Sequence, residues 1–531
     1  MTSARDIDDH GIIGDGRAAA LVSRDGSIDW LCWPRFDSPP VFAALLDPGA
    51  GAWSITPTER ARVTRRYLDH TNVLETRFET GSGVVLLTDA MTVTSETMKH
   101  DVLLPDHEIV RRLECTRGEM ELEVVVSVRP DFGRARTRVL DLGVLGQRWE
   151  VGSQLLTLCG DLPLALDANG DARARIRISA GRVVHFSFSF DAEAPAVLPA
   201  AGVHASERIT RTAAWWSQWV GRASYAGPHR EAVLRSLLVL KLMSYAPSGA
   251  IIAAPTTSLP EVEGGPHNWD YRYCWLRDAS FTARVFLQLG FIEDAVAFVS
   301  WLLHATRLTQ PQLRVLYDVF GNRPVTEHQI AVEGYRGSRP VRVGNAADRQ
   351  IQLDLYGEVM DATSQLVQTT GELDHETCDL LRGFGRYVCD HWRDADLGIW
   401  EPRAQPSHHT HSRLLSWVAL DRLDGLAANG HLRIDRDLIG AHRSAVRRDI
   451  EDRAYDPRLG CYLSGLDGGE LDAAVLLMSW YGFHPASSLR MRSTYARLVE
   501  RLSPRRGLLY RYEQSRDIDE GAFWLCSFWA V

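Results

Sequence analysis

Asn268-Trp269-Asp270-Tyr271-Arg272-Tyr273-Cys274-Trp275-Leu276-Arg277-Asp278-Ala279-Ser280 is the stretch on which the reading of this chain turns. Aromatic residues fall at every second position, Trp269, Tyr271, Tyr273 and Trp275, so an extended backbone puts the rings on one face and Asp270 and Arg272 on the other. A helix follows, with Asp278 placed to cap its N-terminus, Phe281, Val285 and Leu289 at helical spacing, and Gly290 as the stop. Arg277 and Asp278 therefore sit at a strand-to-helix corner. Two readings fit. Flat rings beside a fixed guanidinium and carboxylate suit a sugar, whose apolar faces stack on rings and whose vicinal hydroxyls need paired donors and acceptors. The same residues also suit a buried aromatic strand closed by an Arg–Asp ion pair.

Upstream, from Ile12 to about Ala194, the pattern is β. Met120, Leu122, Val124, Val126 and Val128 alternate with mostly polar residues, and the run through Arg111, Leu113 and Cys115 joins them around Gly118, which reads as a hairpin. Val184, Phe186, Phe188 and Phe190 alternate with His185, Ser187 and Ser189, again one wet and one dry face. Strands of this kind predict an antiparallel sandwich over residues 1–200. Its start, Gly26 to Asp37, carries Trp30, Trp33 and Phe36, read as core, and residues 201–227 read as a helical connector.

Downstream, residues 228–531 turn helical, with helices near 229–245, 278–289, 292–305, 352–370, 372–391, 411–429, 436–453, 470–482, 487–502 and 518–531. Several are apolar on most sides, which fits an inner ring of helices enclosed by an outer one. The loop from about Thr306 to Gln350 is long enough to read as functional.

Composition narrows the partner. The 531 residues are 45% hydrophobic and 24% charged, a globular balance too long for one core. A net charge of −9 argues against nucleic acid and leaves small neutral substrates open. No signal peptide is read at the N-terminus, and no apolar run approaches the ~20 residues that span a bilayer. With eight scattered cysteines and no CxxC pair, the expectation is a cytoplasmic protein with reduced thiols and no membrane partner, its homo-oligomerisation left open.

In Gly398-Ile399-Trp400-Glu401-Pro402-Arg403, a turn between helices, a carboxylate lies beside a ring. Carboxyl groups held among apolar neighbours keep their proton to higher pH and can pass it to a leaving oxygen, although Arg403 would favour the anion, and an exposed loop Glu is the alternative. His408, His409 and His411 lack a carboxylate or Cys at ligand spacing and read as a polar rim or helix cap, with no metal. Glu358 and Asp361 share one helical face and read as exposed acidic spacing, with Tyr356 at a pocket mouth. No P-loop, GxGxxG, GxSxG or HExxH occurs, and no cofactor is expected.

Ile13-Gly14-Asp15-Gly16-Arg17 through Trp30 to Pro39, Pro255 to Pro260, Asn268 to Ser280, Val343-Gly344-Asn345, Gly398 to Glu401, His411-Ser412 and Cys526 to Trp529 together resemble glycoside hydrolase family 15, the glucoamylase and bacterial or archaeal trehalase group. The likeness covers nearly the whole chain. It implies a β-sandwich followed by an (α/α)6 toroid of six helix hairpins, and hydrolysis of α-glucosidic bonds with inversion. By position, Glu401 resembles the family's general acid. Arg277 and Asp278 resemble the pair that grips the terminal glucose, with Trp269, Trp275 and Trp400 as walls. Arg403 and Tyr356 join the expected substrate-binding set, and Glu520 is expected to line the pocket. In the family the general base follows the Cys-Ser-Phe-Trp helix, whereas here a helix is still running at Val531. The expectation is therefore about ten of twelve helices, with the base and one hairpin missing. Trehalose is the expected substrate. Glucoamylase activity on maltooligosaccharides and a non-catalytic sugar-binding relative are the alternatives.

Overall fold

The structure, a computed structural model, describes residues 5–93, 97, 99, 104–199, 201–307, 309–371, 373–513 and 520–531. It divides into two compact units. Residues up to Pro247 with Ile252–Arg272 and Gln329–Val343 form one, and Ser248–Ile251, Tyr273–His328 and Gly344–Val531 the other. The chain passes between them inside the stretch that opened the sequence reading, after Arg272.

The first unit is an antiparallel sheet structure organised on one strand, His107–Ser127, 21 residues long. Its first half pairs with Gly83–Met91 and Val183–Asp191, and its second half with Ala52–Pro57 and Ala172–Ser179. The partners change at Gly118, which has a φ of 64° and where a Cβ would lie 2.0 Å from the Ser82 carbonyl oxygen. Gly118 therefore bends a continuous strand, and the expected hairpin is corrected: alternation is the same on either side of a bend and of a reversal, so period alone cannot separate them. The dry faces enclose Trp53, Trp149, Phe186 and Phe188, with Phe188 stacked on Trp33 at 5.4 Å and on Phe42 at 5.6 Å. Trp30, Trp33 and Phe36 are core residues as expected. Two helices, α1 (Val203–Val220) and α2 (Arg230–Leu242), complete this unit.

The second unit is helical: α3 (Leu276–Gln288), α4 (Ile292–Thr306), α5 (Asp354–Thr370), α6 (His375–His391), α7 (Thr410–Ala428), α8 (Arg436–Arg453), α9 (Leu477–Trp480), α10 (Leu489–Leu502) and α11 (Trp524–Trp529). Eight of the ten helices read from the sequence beyond residue 228 are present with similar bounds, whereas 470–482 is a 3-10 turn over Ala473–Leu476 followed by the short α9, and of 518–531 the described residues are helical only over Trp524–Trp529. Helix α5 packs between α3 and α7, and α4, α6 and α8 follow them in turn. The two layers differ in burial: α5 is buried without a break from Asp354 to Ser364 and α7 from Thr410 to Leu420, whereas α8 buries only Ile439, Val446 and Ile450. Helices covered on all sides need close approach, and Gly357 permits it, since a Cβ there would lie 2.3 Å from the Leu415 carbonyl oxygen. Helix α3 begins two residues before the expected start, so Asp278 lies in its first turn rather than at the cap, where Trp275 stands and makes no capping hydrogen bond with its side chain.

Candidate active site

The strand Cys274–Trp275 pairs with Leu316–Tyr317 and runs directly into α3, which fixes Trp275 and Arg277 at the corner read from the sequence. The loop between α6 and α7 brings Glu401 to them. Its Oε1 accepts from Trp275 Nε1 at 2.9 Å and from Arg277 Nη2 at 3.1 Å, while Oε2 accepts no hydrogen bond among the described residues. Arg277 Nη1 also donates to the Ile399 carbonyl at 3.1 Å and reaches Gln352 Oε1 at 3.5 Å. Asp278 Oδ2 stands 3.5 Å from Arg277 Nη2 and is 47% exposed, against 13% for Arg277. Glu401 is 17% exposed, so the anchored carboxylate still meets solvent. One oxygen is held and the other is open, an arrangement that can carry a proton to a bound molecule.

A buried layer lies behind this pair. Burial works against the charge of Arg277, but the Asp278, Glu401 and Asp354 carboxylates outweigh it and raise its pKa. Asp354, fully buried at the start of α5, is pushed up to about 7 by burial, with Arg277 opposing and Asp396 and Glu401 adding to the rise. His411 lies 3.7 Å from Asp354 in the first turn of α7, and burial together with Arg277 lowers its pKa to about 3, so it is neutral. It is a core residue, not part of a rim. No cluster of His, Cys, Asp or Glu suited to a metal occurs among the described residues.

The other candidates are placed differently. Trp400 Nε1 donates to Asp472 Oδ2 at 2.8 Å, and the Arg511 guanidinium lies 5.4 Å from the Trp400 ring centre. Arg511 in turn pairs with Glu520, which places Glu520 beside Trp400 through an intervening cation. Arg403 is engaged by Glu327. Tyr356 is 2% exposed, its hydroxyl accepting from Leu313 N and donating to the Pro311 carbonyl, so the ring expected at a pocket mouth is a core ring. Glu358 and Asp361 are likewise buried, not exposed spacing: Tyr481 donates to Glu358 at 2.5 Å, and Arg284 and Arg422 each donate to Asp361 at 2.8 Å. Trp269 belongs to the first unit, where it stacks on His267 and underlies the Arg342 guanidinium at 4.3 Å. Gln352, Asp354 and Asp472 were missed. Only the Gln350-Ile351-Gln352-Leu353-Asp354 alternation of polar and apolar residues ahead of a helix hinted at the first two.

The class of protein is set by two family models. Glycosyl hydrolases family 15 matches residues 227–531, and the trehalase-like N-terminal model matches residues 2–170. The chain belongs to glycoside hydrolase family 15 and is a hydrolase of that family. More particularly, it is 32% identical to a trehalase of Mycolicibacterium smegmatis over 99% of this chain and 82% of that protein. It is also 32% identical to a trehalase of Mycobacterium tuberculosis, over 99% and 80%, and to trehalase 1 of Sulfolobus acidocaldarius, over 95% and 84%. Among solved structures, a bacterial glucoamylase complexed with acarbose superposes with a TM-score of 0.65 over 96% of this chain and 81% of that one, at 11% identity. That likeness shows the fold, an antiparallel sheet domain followed by a six-hairpin helical domain.

Proposed function

We propose that the chain releases glucose from the non-reducing end of an α-glucoside, with trehalose as substrate and inversion at the anomeric carbon. The observation that carries this reading is the split role of the Glu401 oxygens: Oε1 is fixed by Trp275 and Arg277, and Oε2 is open to a leaving oxygen. Glu401 acts as general acid and protonates the leaving oxygen, while the attacking water gives its proton to a second carboxylate, which by the family pattern is expected to follow the segment of residues 526–529. Arg277 and Asp278 hold the hydroxyls of the terminal glucose, and Trp275 and Trp400 flank it. Arg403 donates to Glu327 at the flank of the Glu401 loop. Trehalose is favoured over other α-glucosides by the trehalases to which the chain is similar across nearly its full length. The glucoamylase neighbour supports maltooligosaccharides as the second reading. Residues 228–531 are assigned as the catalytic domain, 1–200 as the sandwich and 201–227 as the connector, with the matched spans 227–531 and 2–170 in support.

We place the reaction in the cytoplasm. All eight cysteines are unpaired and all but Cys159 are buried, as suits a reducing compartment, and no helix among the described residues is long and apolar enough to cross a membrane.

The test is glucose release by the purified protein from trehalose and from maltose and longer maltooligosaccharides, with the anomer of the nascent glucose read by NMR. Release of one α- and one β-glucose per trehalose is expected. Equal rates on both classes of sugar would overturn the trehalase assignment, and folded protein that releases glucose from neither would overturn the hydrolase mechanism.

A further inference from the structure

Glu401 has a φ of 54°, the left-handed region that a residue with a Cβ seldom occupies without support from its surroundings. The support comes from both flanks of the loop. On the N-terminal side Gly398, φ 64°, packs so closely that a Cβ would lie 2.8 Å from the His409 ring, and Trp400 is fixed by its bond to the buried Asp472. On the C-terminal side Arg403 Nη1 and Nη2 donate to Glu327 Oε1 and Oε2 at 3.0 and 2.5 Å, a two-pronged pair whose geometry fixes direction as well as distance. Glu327 is itself held, 14% exposed, with Oε2 accepting from the Ala346 amide at 3.0 Å. Both Glu327 and Ala346 lie in the long connection between α4 and α5, the segment whose length alone marked it as functional. The same connection reaches the Glu401 carbonyl through Gln350 Nε2 at 3.5 Å.

We propose that Glu327, acting through Arg403, is a positioning residue that holds the Glu401 backbone in its left-handed conformation and so aims the carboxylate at Trp275 and Arg277. This rests on Glu401 as the acid, but the loop geometry can be measured without activity. The hydrogen-bond partners of the Glu401 carboxylate among the described residues are Trp275 and Arg277, so the effect of Glu327 and Arg403 is on where it points. A purely structural ion pair at this exposure would move stability slightly and the loop not at all.

The experiment is a double-mutant cycle on the full chain with Glu327→Gln, Arg403→Met and both together, reading kcat, KM and amide hydrogen exchange over residues 398–403 against helix α7. Glu327→Gln keeps an acceptor for the Ala346 amide, so only the charged pair is lost. Each single substitution is expected to lower kcat roughly tenfold with KM little changed, because a small displacement of a reacting group costs rate far more than affinity. Exchange should rise over 398–403 and not in α7. The double variant should resemble either single one, since both remove the same strap. Unchanged kcat and unchanged exchange in the single variants would overturn the proposal, as would losses that multiply to about a hundredfold in the double variant. If the wild-type protein releases no glucose, the exchange result decides alone: faster exchange confined to 398–403 supports the strap, and unchanged exchange refutes it.

Discussion

Two arginines five residues apart in the chain make opposite use of a carboxylate. Arg272, in the first unit, closes on Asp270 through Nε and Nη2 at 2.9 and 2.8 Å and gives Nη1 to the Ser38 carbonyl at 2.8 Å, with the two side chains 1% and 0% exposed. Arg277, in the second unit, meets Glu401 through one nitrogen at 3.1 Å, shares its other contacts among Ile399, Gln352 and Asp278, and is 13% exposed. The first pair is saturated, and nothing is left to bind. The second is held from one side with capacity open on the other. Saturation, more than burial or charge, separates a pair that holds a fold from one that can act on a ligand.

The comparison breaks most visibly at Glu401. Glu401→Gln keeps an acceptor for Trp275 and removes the transferable proton, so glucose release is expected to fall by roughly 10²–10⁴-fold. The unfolding midpoint should stay within the range of an ordinary partly buried polar substitution. Comparable loss of activity and of stability would place Glu401 with Asp270 as a structural carboxylate. At the saturated pair the expectation inverts. Arg272→Ala leaves Asp270 buried and uncompensated, which costs about 3–5 kcal/mol, read by urea unfolding of the first unit. A loss under ~1 kcal/mol there would remove the distinction between the two pairs.

Asp354 sharpens the contrast from the second unit, because it is as buried as Asp270 yet has no hydrogen-bond partner on either oxygen among the described residues. Burial raises its pKa from 3.8 to about 7. Below about pH 4 it is protonated folded and unfolded. As pH rises toward 7 the unfolded chain ionises first, so the stability it contributes is lost across that window and stays lost above it. Asp354→Asn should flatten this part of the stability–pH curve and stabilise the second unit at pH 8 by up to about 4 kcal/mol. An Asn variant whose curve keeps the wild-type slope between pH 4 and 7 would show that Asp354 does not hold its proton in the folded protein.

How much of this was legible in the sequence depended on distance along the chain. Strand alternation, eight of the ten downstream helices and the corner at Arg277 are local patterns, and they were read correctly. Gly118 was misread because a bend and a reversal leave the same alternation beside them. Tyr356, Glu358 and Asp361 were misread because spacing places residues on one face of α5 without saying that every face of α5 is covered. Asp472 carries no local signal at all, and Gln352 only the alternation ahead of α5: Gln352 meets Arg277 across 75 residues and Asp472 meets Trp400 across 72, contacts that only the packed helices create. The Glu327 strap on Arg403 spans 76 residues and is invisible for the same reason.

The smallest expected effect is the most discriminating, because it asks whether Arg277 works by charge or by shape. Arg277→Lys keeps the cation near Glu401 and Asp278 but cannot reach Glu401, Ile399 and Gln352 from one planar group. If Arg277 served only to balance buried carboxylates, Lys would restore what Ala removes. As a group that orients both Glu401 and a sugar hydroxyl, it requires its fork, so Lys should recover stability but not affinity. A glucose-like inhibitor is then expected to bind both variants on the order of 10–100-fold more weakly than wild type, the loss of one or two charge-assisted hydrogen bonds. Calorimetric titration of the two variants checks this. Wild-type affinity in Arg277→Lys would move Arg277 to the side of Arg272, a counter-charge whose geometry is incidental.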